Sequence, residues 1–292
     1  MIINQEITEN YTLYNGDSFE IIKQIPDNSI DFITFSPPFS SLYVYSDDPR
    51  DLSNTKNYEE FLQHFSYMMS DLYRILRPGR LMSFHCMNLT TTLREDGFRA
   101  IVDLRGDLIR VFQEYGFRFH SEVCIWKDPE LAAVRTKNPS LLYRNFKKDA
   151  SKVRQGLPDY LITMRKDGEE GPVTHDEKTH SKKLWANYAS PVWMDINPSD
   201  TLQRFSVRED KDEKHITPTQ LEVFRRAMDL WTNPNDIVFS PFMGIGSEGY
   251  VALREGRRFV GIELKESYFG QSVKNCKLAE LENGQLSLLD FQ

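Results

Sequence analysis

The sequence predicts an α/β protein, a doubly wound and mainly parallel sheet carrying polar inserts. Three observations predict it. Short β-branched and aromatic runs alternate with stretches of helical spacing along most of the chain. A glycine-rich turn, Gly244-Ile245-Gly246-Ser247-Glu248-Gly249, stands between a strand-like run and a helix. Two stretches, 127–156 and 166–214, are polar, rich in Pro, Asn, Asp and Lys, and poorly periodic, which marks them as additions to the alternation.

Taken in order, Tyr11–Tyr14 reads as a strand ended by Asn15-Gly16-Asp17, and Phe19, Ile21, Ile22 and Ile25 line a short helix stopped at Pro26. Ile30–Phe35 is the next strand. Residues 58–76 carry Phe61, Leu62, Phe65, Met68, Met69, Leu72, Ile75 and Leu76 at helical spacing, so one long amphipathic helix is expected, broken by Arg77-Pro78-Gly79-Arg80. Leu81–Cys86 is a strand, 101–115 a helix, Arg118–Trp126 a strand and Leu157–Met164 another. After the second insert come a helix over Leu221–Trp231, a strand at Ile237–Phe239, the glycine turn, a helix over Gly249–Arg254, a strand at Arg258–Glu263 and a closing helix at 267–282.

The 292 residues, 40% hydrophobic and 27% charged, suffice for one sizeable α/β domain plus an insert, or for two modest domains. No apolar run reaches the ~18 residues of a membrane span, and Met1–Glu6 has neither the basic flank nor the apolar core of a secretory signal. Cys86, Cys124 and Cys276 are isolated, which fits a reducing cytoplasm rather than a disulfide framework. The six histidines show neither HExxH spacing nor pairing with cysteine, so no metal site is expected. A net charge of −7 speaks against a uniformly basic nucleic-acid binder but leaves room for a local basic face.

Two motifs carry chemistry. Glycines let a backbone approach a ligand, and the following helix N-terminus offers free N–H groups. Glu263 ends the strand after the glycine turn, 19 residues beyond Gly244, where a carboxylate can accept from ribose hydroxyls. A nicotinamide dinucleotide and S-adenosyl-L-methionine both ask for this. The second motif is Ser36-Pro37-Pro38-Phe39. Two prolines fix two φ angles and remove two donors. The Ser36 hydroxyl and the Pro37 carbonyl can then accept from an exocyclic amino group while Phe39 stacks on its ring. Holding both amino protons turns the nitrogen lone pair toward a methyl donor. A nucleobase must leave its stack to be held this way.

With these residues the chain resembles the β-class amino-methyltransferases of DNA, in which the catalytic tetrapeptide precedes the cofactor motif; it is more specifically similar to the solitary enzymes of phages and prophages. Pro241, Phe242, Gly244 and Gly246 match the family's Asp-Pro-Phe-x-Gly-x-Gly motif, while Ser240 replaces its Asp. The resemblance implies a Rossmann-like methyltransferase sheet, S-adenosyl-L-methionine as cofactor, ribose recognition by Glu263 and an adenine contact from Asp17. Asp17 also suits a helix N-cap. His215 and Thr217 match a further family segment ahead of the cofactor turn and are carried over with it. Ser at the head of the tetrapeptide leans toward N4 of cytosine, with N6 of adenine nearly equal in weight.

Arg135, Lys137, Arg144, Lys147, Lys148, Lys152 and Arg154 face a single acid, Asp149, with Tyr143 and Phe146 interleaved. Such a stretch suits phosphates and unstacked bases of double-stranded DNA. The resemblance places target recognition at 166–214, where His175, His180, Lys182, Lys183, Trp185, Asn187, Tyr188, Trp193, Asn197, Gln203 and Arg204 are candidates. The chain accordingly reads as a catalytic half at 1–126, a DNA-contacting insert at 127–156, a return strand at 157–165, a recognition region at 166–214 and a cofactor half at 215–292. Residues 43–50 are expected to cover the site, and a homodimer is compatible with the family. The competing classes are a nicotinamide-dependent oxidoreductase, a non-catalytic DNA-binding protein on the same fold, and methylation of RNA or of a protein amide.

Overall fold

The computed structural model describes residues 2–38, 52–55, 57–91, 97–136, 139–169, 171–202 and 218–289. Five parallel strands form the centre of its main sheet: β2 (Tyr11–Gly16), β3 (Ile30–Phe35), β4 (Leu76–Met87), β10 (Ile237–Ser240) and β11 (Arg258–Glu263). Among the described residues the sheet has nine strands in the order β1-β2-β11-β10-β3-β4-β8-β7-β9, ending on the two-residue β9 (Val192–Trp193). The flanking strands are β1 (Ile2–Ile7), antiparallel to β2, then β7 (Arg118–Ile125) and β8 (Asp159–Arg165), with β8 antiparallel to both β4 and β7. The doubly wound, mainly parallel expectation holds.

Helices bury both faces of the sheet. On one face α1 (Ser18–Ile21), α2 (Tyr58–Ser66), α3 (Met69–Ile75) and α4 (Leu104–Glu114) pack Ile21, Phe61, Phe65, Leu72, Leu108 and Phe112 on Ile33, Phe35 and Phe84. On the other, α8 (Leu221–Trp231), α9 (Ser247–Arg254) and α10 (Glu266–Leu289) pack Phe224, Met228, Val251, Phe269 and Cys276 on Phe32, Val238 and Phe259. Strands buried on both faces read as near-continuous apolar runs, as Ile30–Phe35 does.

Several elements differ from the sequence reading. The expected single helix over 58–76 is two helices, α2 and α3, separated at Tyr67 and Met68. Met68 and Met69 are both fully buried. Neighbours on one straight helix point about 100° apart, so the step lets both reach the core. Arg77-Pro78-Gly79-Arg80 does not leave the sheet: it is a bulge within β4, between the pairs Ile30↔Leu76 and Phe32↔Leu81. Asp31 holds the bulge, 2.9 Å from Arg77 Nη1 and 3.7 Å from Arg80 Nη2. Ahead of α4, Ile101–Val102 forms strand β6, paired with β5 (Leu89–Thr90) in a separate two-stranded ribbon.

The two polar stretches also hold structure. The first contains α5 (Pro129–Thr136) and α6 (Tyr143–Lys148). The second contains α7 (Lys182–Tyr188) and the two-residue strand β9 (Val192–Trp193), which extends the sheet beside β7. Elements this short leave little periodicity to read. Arg226 of α8, nearly fully buried, ties this stretch down: it donates to Asp195 at 2.8 Å and 3.0 Å and lies over the rings of Tyr188 and Trp193, 5.3 Å and 5.0 Å from their centroids.

Candidate active site

The strand order brings the two sequence motifs to neighbouring positions. β10 and β3 pair in parallel, so the glycine turn after Ser240 and Ser36 after Phe35 leave the same edge of the sheet side by side. The connection from β10 runs outward to β11 and that from β3 runs the other way to β4, so this edge is a topological switch point, where open α/β sheets bind ligands.

On the cofactor side, Gly244 has φ +53° and Gly246 +87°. A Cβ on Gly246 would stand 3.0 Å from the Ser272 Cβ of α10, whereas one on Gly244 would meet nothing within 4 Å. Gly246 is therefore required by packing and by its left-handed backbone, while Gly244 leaves its side of the turn open. The Gly244 N–H donates to Glu263 Oε2 at 2.9 Å, and the Lys265 N–H donates to Oε1 at 2.9 Å. These two bonds fix the carboxylate against the turn. Asn15 at the end of β2 donates through Nδ2 to the Glu263 and Leu264 carbonyls, at 2.9 Å and 3.0 Å. Asp17 caps α1, its Oδ1 accepting from the Phe19 N–H at 2.9 Å, so the N-cap alternative is realised. The Ser18 hydroxyl donates to the Pro241 carbonyl at 2.5 Å. Phe242 packs between Phe35 and Phe65, with ring centroids 5.8 Å and 6.5 Å away. Glu248, in the first turn of α9, is buried, and burial pushes its carboxyl up to about 8, with the Glu263 charge adding to the rise.

On the clamp side, Ser36 is half-buried, Pro37 buried and Pro38 half-buried. Ser36 Oγ lies 2.8 Å from Thr219 Oγ1, just ahead of α8, and 3.2 Å from His85 Nδ1 on β4. His85 Nε2 is 3.1 Å from Asp159 Oδ2 at the start of β8. The Nε2 hydrogen is not aimed along that contact, so it is close and electrostatic rather than a linear hydrogen bond. Asp159 Oδ1 accepts from Lys127 Nζ at 2.5 Å. His85 and Asp159 are 6% and 3% exposed, so the chain Thr219–Ser36–His85–Asp159–Lys127 runs from a half-open hydroxyl into the interior. Burial alone would raise the Asp159 carboxyl; His85 and Lys127 outweigh it and hold the group below the ordinary carboxylate range. Sequence reading missed Thr219, His85, Asp159 and Lys127. The available signal was a histidine inside the mostly apolar strand Leu81–Cys86, on the face that Ser83 shares.

Phe39, His215 and Thr217, and the loop at 43–50, lie outside the described residues, as do Lys137, Gln203, Arg204 and the side chain of Arg135. The rest of the basic insert leaves the sheet at Lys127 and returns at Asp159, so it rises from the active edge. Arg144, Lys147, Lys148 and Lys152 are exposed and Arg154 is half-buried. The exposed rings of Tyr143 and Phe146 stack at 6.1 Å, with Lys147 Nζ 5.0 Å from the Tyr143 centroid. Lys152 pairs with Asp149 at 3.0 Å. In the other insert, Tyr188 and Trp193 are core residues. His175 and His180 stack at 4.3 Å and bind the Leu230 carbonyl and the Asp229 carboxylate at the far end of α8, away from the active edge.

A model of the N6_N4 DNA methylases matches residues 30–274. The chain belongs to this DNA methylase family. It is 27% identical over 262 residues to the type II methyltransferase M.BglII of Bacillus subtilis, an alignment covering 88% of this chain and 66% of that relative, so it spans just under two thirds of M.BglII. Its fold resembles that of TTHA0409 of Thermus thermophilus, solved in complex with S-adenosyl-L-methionine, with a TM-score of 0.66 at 20% identity over 93% of this chain and 96% of that one. It resembles equally the PvuII DNA methyltransferase (cytosine-N4-specific) of Proteus hauseri, with a TM-score of 0.66 at 20% identity over 94% and 90% of the two chains.

Proposed function

We propose that this DNA methylase family member is an S-adenosyl-L-methionine-dependent methyltransferase of double-stranded DNA that takes a base out of the duplex and methylates its exocyclic amino group. The observation that carries the reading is the placement of Ser36 and the Gly244–Gly246 turn at adjacent ends of β3 and β10, on one edge of the sheet.

The residues present fit the cofactor. The open side of Gly244 admits a ligand against the backbone, and Glu263 stands oriented beside it. Ser240 Oγ and Asn15 Oδ1 are buried acceptors without a hydrogen-bond partner among the described residues, available to a ligand's polar groups. Glu263 would hold the ribose hydroxyls, and Asp17, Phe242, Gly246, His215 and Thr217 complete the proposed cofactor set. When bound, the cofactor supplies an electrophilic methyl on a sulfonium. The chain contributes position: Ser36 Oγ and the Pro37 carbonyl accept hydrogen bonds from the two amino hydrogens, one of which leaves as a proton to solvent after transfer, while Pro38 stiffens the turn and Phe39 stacks on the base. A lone pair so aimed makes the reaction one of orientation. Arg135, Lys137, Arg144, Lys147, Lys148, Lys152 and Arg154 are assigned to the DNA backbone, because the insert bearing them rises from the active edge.

The leading target is N4 of cytosine, favoured by Ser36. N6 of adenine is the second reading, since the family takes in both amino groups. The deciding experiment incubates purified protein with unmethylated genomic DNA and S-adenosyl-L-methionine, then digests the DNA to nucleosides for mass spectrometry. A 4-methylcytosine or 6-methyladenine peak establishes the reaction and the base together. Intact cofactor binding with no methylated nucleoside overturns it.

A further inference from the structure

We infer that His85 is a positioning residue: Asp159 and Lys127 lock it in the tautomer protonated at Nε2, and its bare Nδ1 takes the only proton of Ser36. The inference deepens the methyl-transfer reading and rests on it.

The argument is a count of protons along the buried chain. Lys127 Nζ, 2.5 Å from Oδ1, holds Asp159 as a carboxylate that can only accept, so His85 Nε2, 3.1 Å from its Oδ2, must carry a hydrogen. Lys127 at 2.5 Å already neutralises the carboxylate, so a second positive charge on His85 would be a net buried charge. A neutral imidazole protonated at Nε2 has a lone pair at Nδ1. Ser36 Oγ, 3.2 Å from Nδ1, therefore donates inward. A serine hydroxyl has one hydrogen and two lone pairs. With its hydrogen spent on His85, Ser36 must accept from Thr219 at 2.8 Å, which leaves one lone pair for a ligand.

The clamp is thus an acceptor by construction. It welcomes an amino hydrogen, as cytosine and adenine offer, and opposes the carbonyl oxygen that thymine or uracil presents at the same ring position. Base discrimination is set one and two residues behind the serine, by groups that do not touch the base. If Asp159 became an amide, its NH₂ would donate to Nε2, the ring hydrogen would move to Nδ1, and Ser36 would be driven to donate outward. The misaligned Nε2–Asp159 contact is of the kind that tightens when substrate fills a site.

The test uses two readouts. ¹⁵N–¹H correlation spectra of the full chain, labelled at histidine, report the tautomer without any turnover, and His85→Asn assigns the signal by its loss. The expected result is the Nε2–H tautomer in the native chain and Nδ1–H in Asp159→Asn. Single-turnover methyl transfer then gives a cycle of Ser36→Ala, His85→Asn and the double variant. His85→Asn should slow transfer about 10–100-fold, with cofactor affinity within about 2-fold, but cost less than about 2-fold once Ser36 is alanine. A native Nδ1–H tautomer, or penalties that simply multiply, overturns the inference. Should Asp159→Asn fail to fold, the native spectrum and the cycle still decide. A native chain that methylates no DNA counts against the methyl-transfer reading alone, because the tautomer is read independently.

Discussion

The glycine turn and its acid lie 19 positions apart and meet across one helix and one strand, whereas Ser36 and Thr219 are 183 positions apart and His85, Asp159 and Lys127 come from three further segments. The cofactor side is made of backbone: Gly244 and Gly246 in left-handed conformations, and N–H groups aimed at one carboxylate. The clamp side is made of side chains, each placed by a different strand or helix end and linked in one chain of contacts. A site written locally should lose function one contact at a time. A site assembled at long range should lose it as a unit, because its groups orient one another.

Four substitutions sharpen or break this contrast. The largest effect is expected for Ser36→Ala, which removes the proposed acceptor and breaks the chain between Thr219 and His85: the rate of transfer should fall roughly 10²–10³-fold while cofactor affinity holds. Near-normal single-turnover rates would show that the serine does not orient the target. Glu263→Ala should invert the pattern, weakening cofactor binding about 10–100-fold in titration calorimetry, as loss of charge-assisted hydrogen bonds does, with the rate at saturation little changed. An unaltered affinity would remove Glu263 from the cofactor side.

Glu248→Gln tests the cofactor side through pH. The folded chain holds this carboxyl up at about 8 against an ordinary 4.5, so its protonated form is favoured on folding. That contribution is full below about 4.5 and is lost as pH rises toward about 8. The glutamine variant should match the native chain at pH 4 and exceed it by about 1–3 kcal/mol at pH 8 in denaturant unfolding. Equal stabilities at both values would contradict the burial argument.

The smallest effect is expected where the second insert meets α8. The Arg226 hydrogen bonds hold the Asp195 carboxyl down at about 2, so its contribution is present above the ordinary 3.8 and is lost as pH falls from there to about 2. The Asp195 side chain is 52% exposed, so solvent screening limits the stake. Asp195→Asn should cost less than about 1 kcal/mol at pH 7, and the gap should close as the medium is acidified below pH 4. A gap that widened in acid would refute the pairing.

The legible parts of the chain were those whose cause is local. The β11 and α8 boundaries match the sequence reading because apolar periodicity ends there in Glu263 and in Thr232-Asn233-Pro234. The glycine turn announced its conformation because only glycine takes that backbone cheaply beside Ser272. The long helix over 58–76 was misread because its spacing records which residues are apolar, not that Met68 and Met69 must both reach the core. β9 was unreadable for a related reason: two residues carry no period, and Val192–Trp193 becomes a strand by meeting the edge of β7.

The same division applies to the chemistry. The sequence by itself determined the fold class and the family, and it displayed the Ser36-Pro37-Pro38-Phe39 and Gly244–Glu263 motifs proposed as clamp and cofactor element, since the first is spelled in consecutive residues and the second within one helix and one strand. Only the tertiary structure decided that the two motifs share a sheet edge, through the parallel pairing of β10 with β3. It alone set His85, Asp159, Lys127 and Thr219 around Ser36. Their roles depend on side chains brought within 3.2 Å across separate elements. No spacing along the chain encodes such contacts; strand order and the burial of both sheet faces do.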